Sequence, residues 1–236
     1  EARGWMREQV EHGYIAYEHP IEKKKRILQK LNDSEVYEKF LGTKFLGQKR
    51  FSLEGGESTI PALDSMLNVA ANLGVKEAMI GMAHRGRLNI LTNIVGKTYE
   101  EVFSEFEGVS PDDLFSGTGD VKYHMGYSGI YDTMDGKEIY VKLPPNPSHL
   151  EAVNPVVQGY CRAQADAIYE SDYDKILPII IHGDAAVAGQ GIVYEVLQME
   201  SLKGYTVGGS IHFVINNQIG FTTDFDDARS SNYCVS

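Results

Sequence analysis

Residues 179–191 read IIIHGDAAVAGQG. Branched apolar residues fit the inside of a fold, yet the run stops at a carboxylate, Asp184, set among glycines and alanines. Extended on both sides, ILPIIIH (176–182) reads as a wholly apolar strand and GIVYEVLQMESLKG (191–204) as an amphipathic helix closing on Gly204. SIHFVINN (210–217) reads as another apolar strand. Strand, helix and strand at this spacing predict a βαβ unit with parallel strands and a right-handed crossover. Asp184 then follows the carboxyl end of the first strand and Asn217 closes the second. Both reach the rim where open α/β sheets bind ligands. One carboxylate and one amide oxygen are hard donors that suit magnesium better than zinc. Small residues at 185, 186, 188, 189 and 191 would let backbone amides approach an anion, a phosphate by preference. Spacing alone leaves a second account open, in which Asp184 caps a helix and Asn217 turns the chain.

Upstream, the α/β pattern starts after a change of composition near Phe45. Residues 3 to about 40 are charged and helical in pattern, with apolar Ile27, Leu28, Leu31, Val36, Phe40 and Leu41; the basic run Lys23 to Arg26 reads as a solvated helix face. A Gly-rich turn then leads to a helix ending at Gly74, and EAMIGM (77–82) reads as a short buried strand. LNILTNIVG is a second helix capped by Gly96, and TYEEVFSEFEG a third. Residues 108–128 hold too many turn formers for regular structure, and so long a loop carrying aromatics and a His reads as functional. Residues 130–143 alternate around Asp135-Gly136, the hairpin signal, and a loop with a long helix follows over 146–171. The division expected is a helical lead-in over 1–44 and an α/β domain over 45–236.

The 236 residues carry 42% hydrophobic side chains and a formal charge of −11. That is an ordinary globular composition, with a charge that disfavours broad affinity for nucleic acid or an anionic membrane. No apolar stretch approaches the ~20 residues that span a bilayer. Cys161 and Cys234 are too far apart in sequence for a zinc motif, and with two cysteines a reducing, cytoplasmic compartment is the default. Both ends read as cut, so a piece of a longer chain is expected. No P-loop and no Gly-x-Gly-x-x-Gly fingerprint occurs, which weakens a nucleotide enzyme.

Gly183-Asp184 followed by Asn217, inside INNQIGFTT, resembles the thiamine-diphosphate motif. KRFSLEGGE (49–57), GMAHRGRLN (81–89), GDVKYHMGYS (119–128), NPSHLEAVNPVV (146–157), GDAAVAGQGIVYE (183–195) and NNQIGFTT (216–223) together resemble the thiamine-dependent 2-oxoglutarate dehydrogenases, the first component of that dehydrogenase complex. GWMREQVE (4–11) is similar to the family's approach to this domain, and Gly-Tyr-Ser at 126–128 resembles bacterial members; a eukaryotic member would sit in the mitochondrial matrix.

The resemblance implies a thiamine-diphosphate-binding α/β fold, with a mainly parallel sheet flanked by helices and the domain cut short at its C-terminal end. Asp184, the Asn217 side chain and the Ile219 carbonyl would ligate magnesium, with Gly183 and Ala185 beside the cofactor. Arg85 matches a position near the diphosphate. Ser148 and Leu150 match the pair that contacts the cofactor, Leu150 as an apolar wedge under the bent ring system. His84, His124 and Ser128, with Phe51, match the substrate wall; His84 and His124 are the candidate proton-handling groups. His149 is expected near the cofactor, His182 and His212 are read as satisfied core residues, and His12 and His19 as solvent-facing. The implied reaction is decarboxylation of 2-oxoglutarate, with the succinyl group passed to a lipoyl-bearing succinyltransferase component. A homodimer would place the activating Glu on a further domain, and none of Glu54, Glu57, Glu151 or Glu195 matches that motif. A 2-oxoadipate dehydrogenase, a non-catalytic cofactor-binding fragment and a metal-dependent phosphate-ester enzyme are the alternatives.

Overall fold

The computed structural model describes residues 4, 5, 7, 8, 18–107 and 124–235. His12 and residues 108–123 of the loop expected over 108–128 lie outside the described residues. A five-stranded sheet of order β2-β3-β1-β4-β5 organises the rest, with β1 (Glu77–Met82) at its centre, between β3 (Glu138–Leu143) and β4 (Ile176–Gly183). β1, β3, β4 and β5 (Ile211–Ile215) run parallel; β2 (Tyr127–Asp132) is antiparallel to β3. The mixed, mostly parallel α/β architecture is as expected. All six residues of β1 are buried, as a strand with a neighbour on each side and helices on both faces requires.

Alternation along the strands divides the core. Ala78, Ile80, Met82, Ile179 and Ile181 face a large cluster made with four helices: α1 (Ile21–Lys44), α2 (Thr59–Asn72), α3 (Arg87–Asn93) and α4 (Tyr99–Glu107). Met79 and Ile180 face the other side, where α5 (Val153–Ile168) lays Val153, Val157, Cys161 and Ala165 against them. Burial pushes the Cys161 thiol up to about 12, so it is an inert packing group. Gly81 is required by this packing: a Cβ there would stand 2.8 Å from Val157 Cγ2.

Local signals hold in several places. The N–H of Gly74 (φ +96) donates to Ala71 and that of Val75 to Ala70, the left-handed stop expected for α2. Thr98 and Glu101 exchange hydrogen bonds as a capping box for α4. The β2–β3 hairpin turns at Gly136 (φ +73). α3 stops at Asn93, short of the expected cap at Gly96.

Other expectations change. The helix read over 191–204 is shorter, α7 (Gly191–Gln198), and a further short helix, α6 (Asp184–Gly189), precedes it across Gln190 in an extended conformation. Turns, not helix, carry the chain through 199–205. The last strand is not apolar throughout: β5 is a half-buried edge. On α1 the buried face is Ser34, Tyr37, Glu38 and Leu41, whereas Leu28, Val36 and Phe40 are exposed. Nor is Arg26 only a solvated charge. Its guanidinium donates to Asp64 Oδ1 at 2.6 Å and pins α1 to α2, with the Tyr131 hydroxyl also donating to that carboxylate at 2.5 Å. Tyr37 and Leu41 before residue 44 and Phe45 after it share one core. No described helix is long and apolar enough to cross a membrane.

Candidate functional site

Four strands of a parallel sheet deliver four segments to one edge. His84 and Arg85 follow β1, the 146–151 turn follows β3, Asp184 follows β4 and Asn217 follows β5. His124 reaches the same edge because it precedes β2, whose first residue, Tyr127, pairs with Leu143 at the end of β3. The strand order also reverses at β1, the arrangement that opens a crevice at the carboxyl ends.

The first wall is built on a tight turn. Gly86 (φ +76) sits where a Cβ would meet Leu53 Cδ1 at 2.6 Å, and its N–H donates to the Phe51 carbonyl at 2.9 Å. This hydrogen bond draws the Phe51 ring onto His84, with ring centroids 4.7 Å apart. Phe51 itself holds φ +45, a sparsely populated conformation for a bulky side chain. His84 Nε2 lies 2.9 Å from His124 Nε2, so a single proton is shared between facing ring nitrogens. Burial lowers the His84 pKa, and His124, Arg87 and Lys49 lower it further; a neutral imidazole results. Ser148 Oγ is 3.5 Å from His124 Nε2, and Asn146 N–H donates to the His124 carbonyl. Thus Phe51, His84, His124 and Ser148 come together. Ser128 does not join them: it stands exposed on the edge strand β2, opposite Lys142.

Arg87, which sequence reasoning passed over, holds this wall in place. It is fully buried and donates to the carbonyls of Met82 (3.2 Å), Met125 (2.8 Å) and Pro144 (2.7 Å). These oxygens belong to the end of β1, the approach to β2 and the exit from β3, so one guanidinium joins the three segments. Burial lowers its pKa to about 9, which leaves it charged at neutral pH. Arg85 is exposed, with Nη1 on the Ser52 carbonyl at 3.2 Å. Leu150 is 43% exposed, so it is not a core leucine but an apolar side chain presented at the edge.

The second wall answers the sequence's question about Asp184. Its side chain is 2% exposed and caps no helix; Oδ1 accepts the Asn217 N–H at 3.3 Å and Oδ2 an Arg229 N–H at 3.0 Å. Asn217 does turn the chain, Oδ1 accepting the Ile219 N–H at 3.2 Å, so half of the structural account of the pair holds. Ala185 is packed by β6 (Ile219–Gly220), where a Cβ on Gly220 would come within 3.0 Å of it. By contrast a Cβ on Gly183, Gly189 or Gly191 would meet nothing within 4 Å, and none of the three has positive φ. No contact among the described residues demands glycine there; the open faces suit a ligand that approaches the backbone. A buried monoanion beside an amide oxygen and the Ile219 residue is a hard-oxygen set of the kind magnesium takes. No group of three or more His, Cys, Asp and Glu side chains that could hold a metal occurs among the described residues.

Behind this edge lies a polar chain that the sequence reading saw only in part. Glu151 Oε2 is 2.6 Å from His182 Nδ1 and accepts from Asn154 at 2.8 Å; His182 Nε2 is 2.8 Å from His212 Nδ1, and His212 Nε2 3.0 Å from Ser210 Oγ. His182 and His212 are therefore satisfied, as expected. Glu151 adopts φ +70 to make these contacts, which fixes the backbone immediately after Leu150. A cavity of about 200 Å³ lined by Gln158, Leu197, Glu200, Tyr205, Ser210 and His212 opens beyond and holds none of the expected site residues.

The whole chain is 50% identical over 240 residues to a multifunctional 2-oxoglutarate metabolism enzyme of Mycolicibacterium vanbaalenii. It is 51% identical over 238 residues to the 2-oxoglutarate dehydrogenase E1/E2 component of Corynebacterium glutamicum. It spans 19% of the length of each. The profile of the family described as dehydrogenase E1 component matches residues 30–236. The chain belongs to the dehydrogenase E1 component family.

Proposed function

We propose that this chain forms the diphosphate- and metal-binding part of a 2-oxoglutarate dehydrogenase that uses thiamine diphosphate and magnesium. The observation that carries the reading is the convergence of the His84–His124 pair, the 146–151 turn and the Asp184–Asn217 pair on the carboxyl ends of four parallel strands. The relatives' names point to the same substrate.

Thiamine diphosphate, when bound, supplies the electron sink that decarboxylation of a 2-oxo acid needs. Asp184, the Asn217 amide oxygen and the Ile219 carbonyl would hold magnesium, and the diphosphate would lie against the open face of Gly183, with Ala185 beside it. Arg85 offers a second cation to that anion. Leu150 and Ser148 support the ring system. His84 and His124 bind the 2-oxo acid and hold the shared proton at Nε2, where it can pass to a developing oxyanion. Phe51 shields His84 from water on one ring face. The succinyl group then goes to a lipoyl-bearing succinyltransferase component, and the activating Glu comes from a further domain across a homodimer interface. The compartment is a bacterial cytoplasm.

The test is thiamine diphosphate binding to the intact protein with and without magnesium, combined with carbon dioxide release from 2-oxoglutarate and from 2-oxoadipate with an artificial electron acceptor. Magnesium-dependent binding and preferred turnover of 2-oxoglutarate are expected. Binding indifferent to magnesium, or preference for the longer diacid, refutes the corresponding part.

A further inference from the structure

Asp184 already has a cation on it. Arg229 Nη1 lies 3.0 Å from Asp184 Oδ2, and the two side chains are 6% and 2% exposed. A carboxylate this deeply buried needs a positive charge beside it, and the guanidinium supplies one. We propose that Arg229 is the interim occupant of the metal position: it neutralises Asp184 until a divalent cation binds, and the cation displaces it. This rests on the reading of Asp184 as a magnesium ligand.

Charge and chain architecture both carry the inference. Magnesium bonds carboxylate oxygens at about 2.0–2.1 Å and prefers a full octahedron. With a dication on one oxygen of Asp184 and a guanidinium on the other, two like charges would share one buried carboxylate. The segment that carries Arg229 is built to shift. Residues 216–235 contain only the two-residue strands β6 and β7 (Thr223–Asp224) and one helical turn, α8 (Phe225–Ala228). Ile219, Phe221, Tyr233 and Val235 are exposed, and Gln218 and Phe221 hold positive φ. Arg229 reaches back 45 residues to Asp184, so the ion pair fastens this segment to the end of β4. The same segment carries Ile219, whose carbonyl is the third expected metal ligand. Metal entry would therefore exchange one fastening for another, Arg229 leaving Asp184 as Ile219 gains a bond.

The experiment uses the intact protein, with Mn²⁺ in place of Mg²⁺ as an observable probe and no thiamine diphosphate. Free Mn²⁺ is followed by electron paramagnetic resonance in the wild type, Arg229→Gln, Arg229→Lys and Asp184→Ala. Removing the competitor is expected to tighten Mn²⁺ about fivefold or more in Arg229→Gln, the low end of ordinary coupling between bound species. Arg229→Lys, which keeps a cation, should stay near the wild type. Hydrogen exchange over residues 225–235 should quicken in the wild type when Mg²⁺ is added. Unchanged or weaker Mn²⁺ binding in a folded Arg229→Gln protein overturns the proposal. Should that variant not fold, slower or unchanged exchange in the wild type on Mg²⁺ addition overturns it instead. Equal Mn²⁺ binding by wild type and Asp184→Ala removes the metal assignment itself, a separable failure.

Discussion

Replacing His124 by Ala tests the histidine wall most directly. The change removes the 2.9 Å contact to His84 Nε2 and the 3.5 Å contact to Ser148 Oγ, and it leaves a part-buried imidazole without the ring that shares its proton. A hydrogen bond that gains charge in the reaction is worth about 1.5–3 kcal/mol, which is a fall of roughly 10- to 150-fold in kcat/KM. Cofactor affinity should stay within about twofold, because the partners of the His124 ring named above, His84 and Ser148, are not among the magnesium ligands. A pH profile adds a sign. Burial first, and then the electrostatic influence of the neighbouring His124, hold the His84 pKa below its ordinary value. Activity that needs neutral His84 therefore persists as pH falls below the ordinary histidine range, and is lost when pH passes the depressed value. Without His124 one lowering influence disappears, so the acid limb of kcat/KM should move to higher pH. The assay is carbon dioxide release with an artificial acceptor over pH 5.5–8.5, with cofactor titrations in parallel. A limb that stays put or moves to lower pH, or an equal loss of cofactor affinity, would refute this placement of the pair.

Asp184→Asn should weaken magnesium and thiamine diphosphate together. It should also cost about 1.5–3 kcal/mol of stability by weakening the charge-assisted hydrogen bond to Arg229, and calorimetry with denaturant titration reads both. Gly191→Ala, at the start of α7 with open space around the new methyl, should stabilise by about 0.4–1 kcal/mol while cofactor affinity drops; unchanged affinity would mean that this face meets no ligand. Asp64→Asn should cost about 1.5–3 kcal/mol at neutral pH through the lost Arg26 bridge. Burial pushes the Asp64 pKa up, but Arg26 and Tyr131 more than reverse this and hold it low. Its contribution is therefore complete above the ordinary carboxylate range and lost as pH falls through the depressed value. The gap between Asp64→Asn and wild type should narrow from pH 6 to pH 3, and a constant gap contradicts the ion pair.

What the sequence could show of this molecule follows from the range of each signal. ILPIIIH and EAMIGM were legible as buried strands because burial on both faces leaves an unbroken apolar run in the chain itself. Gly74 and Gly136 were legible because a left-handed turn needs its glycine in place. Arg87 was not. A guanidinium next to another in HRGR reads as one more anion-binding cation; its burial depends on Met125 and Pro144, carbonyls 38 and 57 residues away. Glu151 and His182, 31 residues apart, form their pair for the same reason. Arg229 is the sharper case. ARSSNY has no motif value of its own, and its role appears only once Asp184 is seen to be nearly sealed from water. In a protein of net charge −11, a buried carboxylate without a nearby cation would be the anomaly, and the fold resolves it before any metal is invoked.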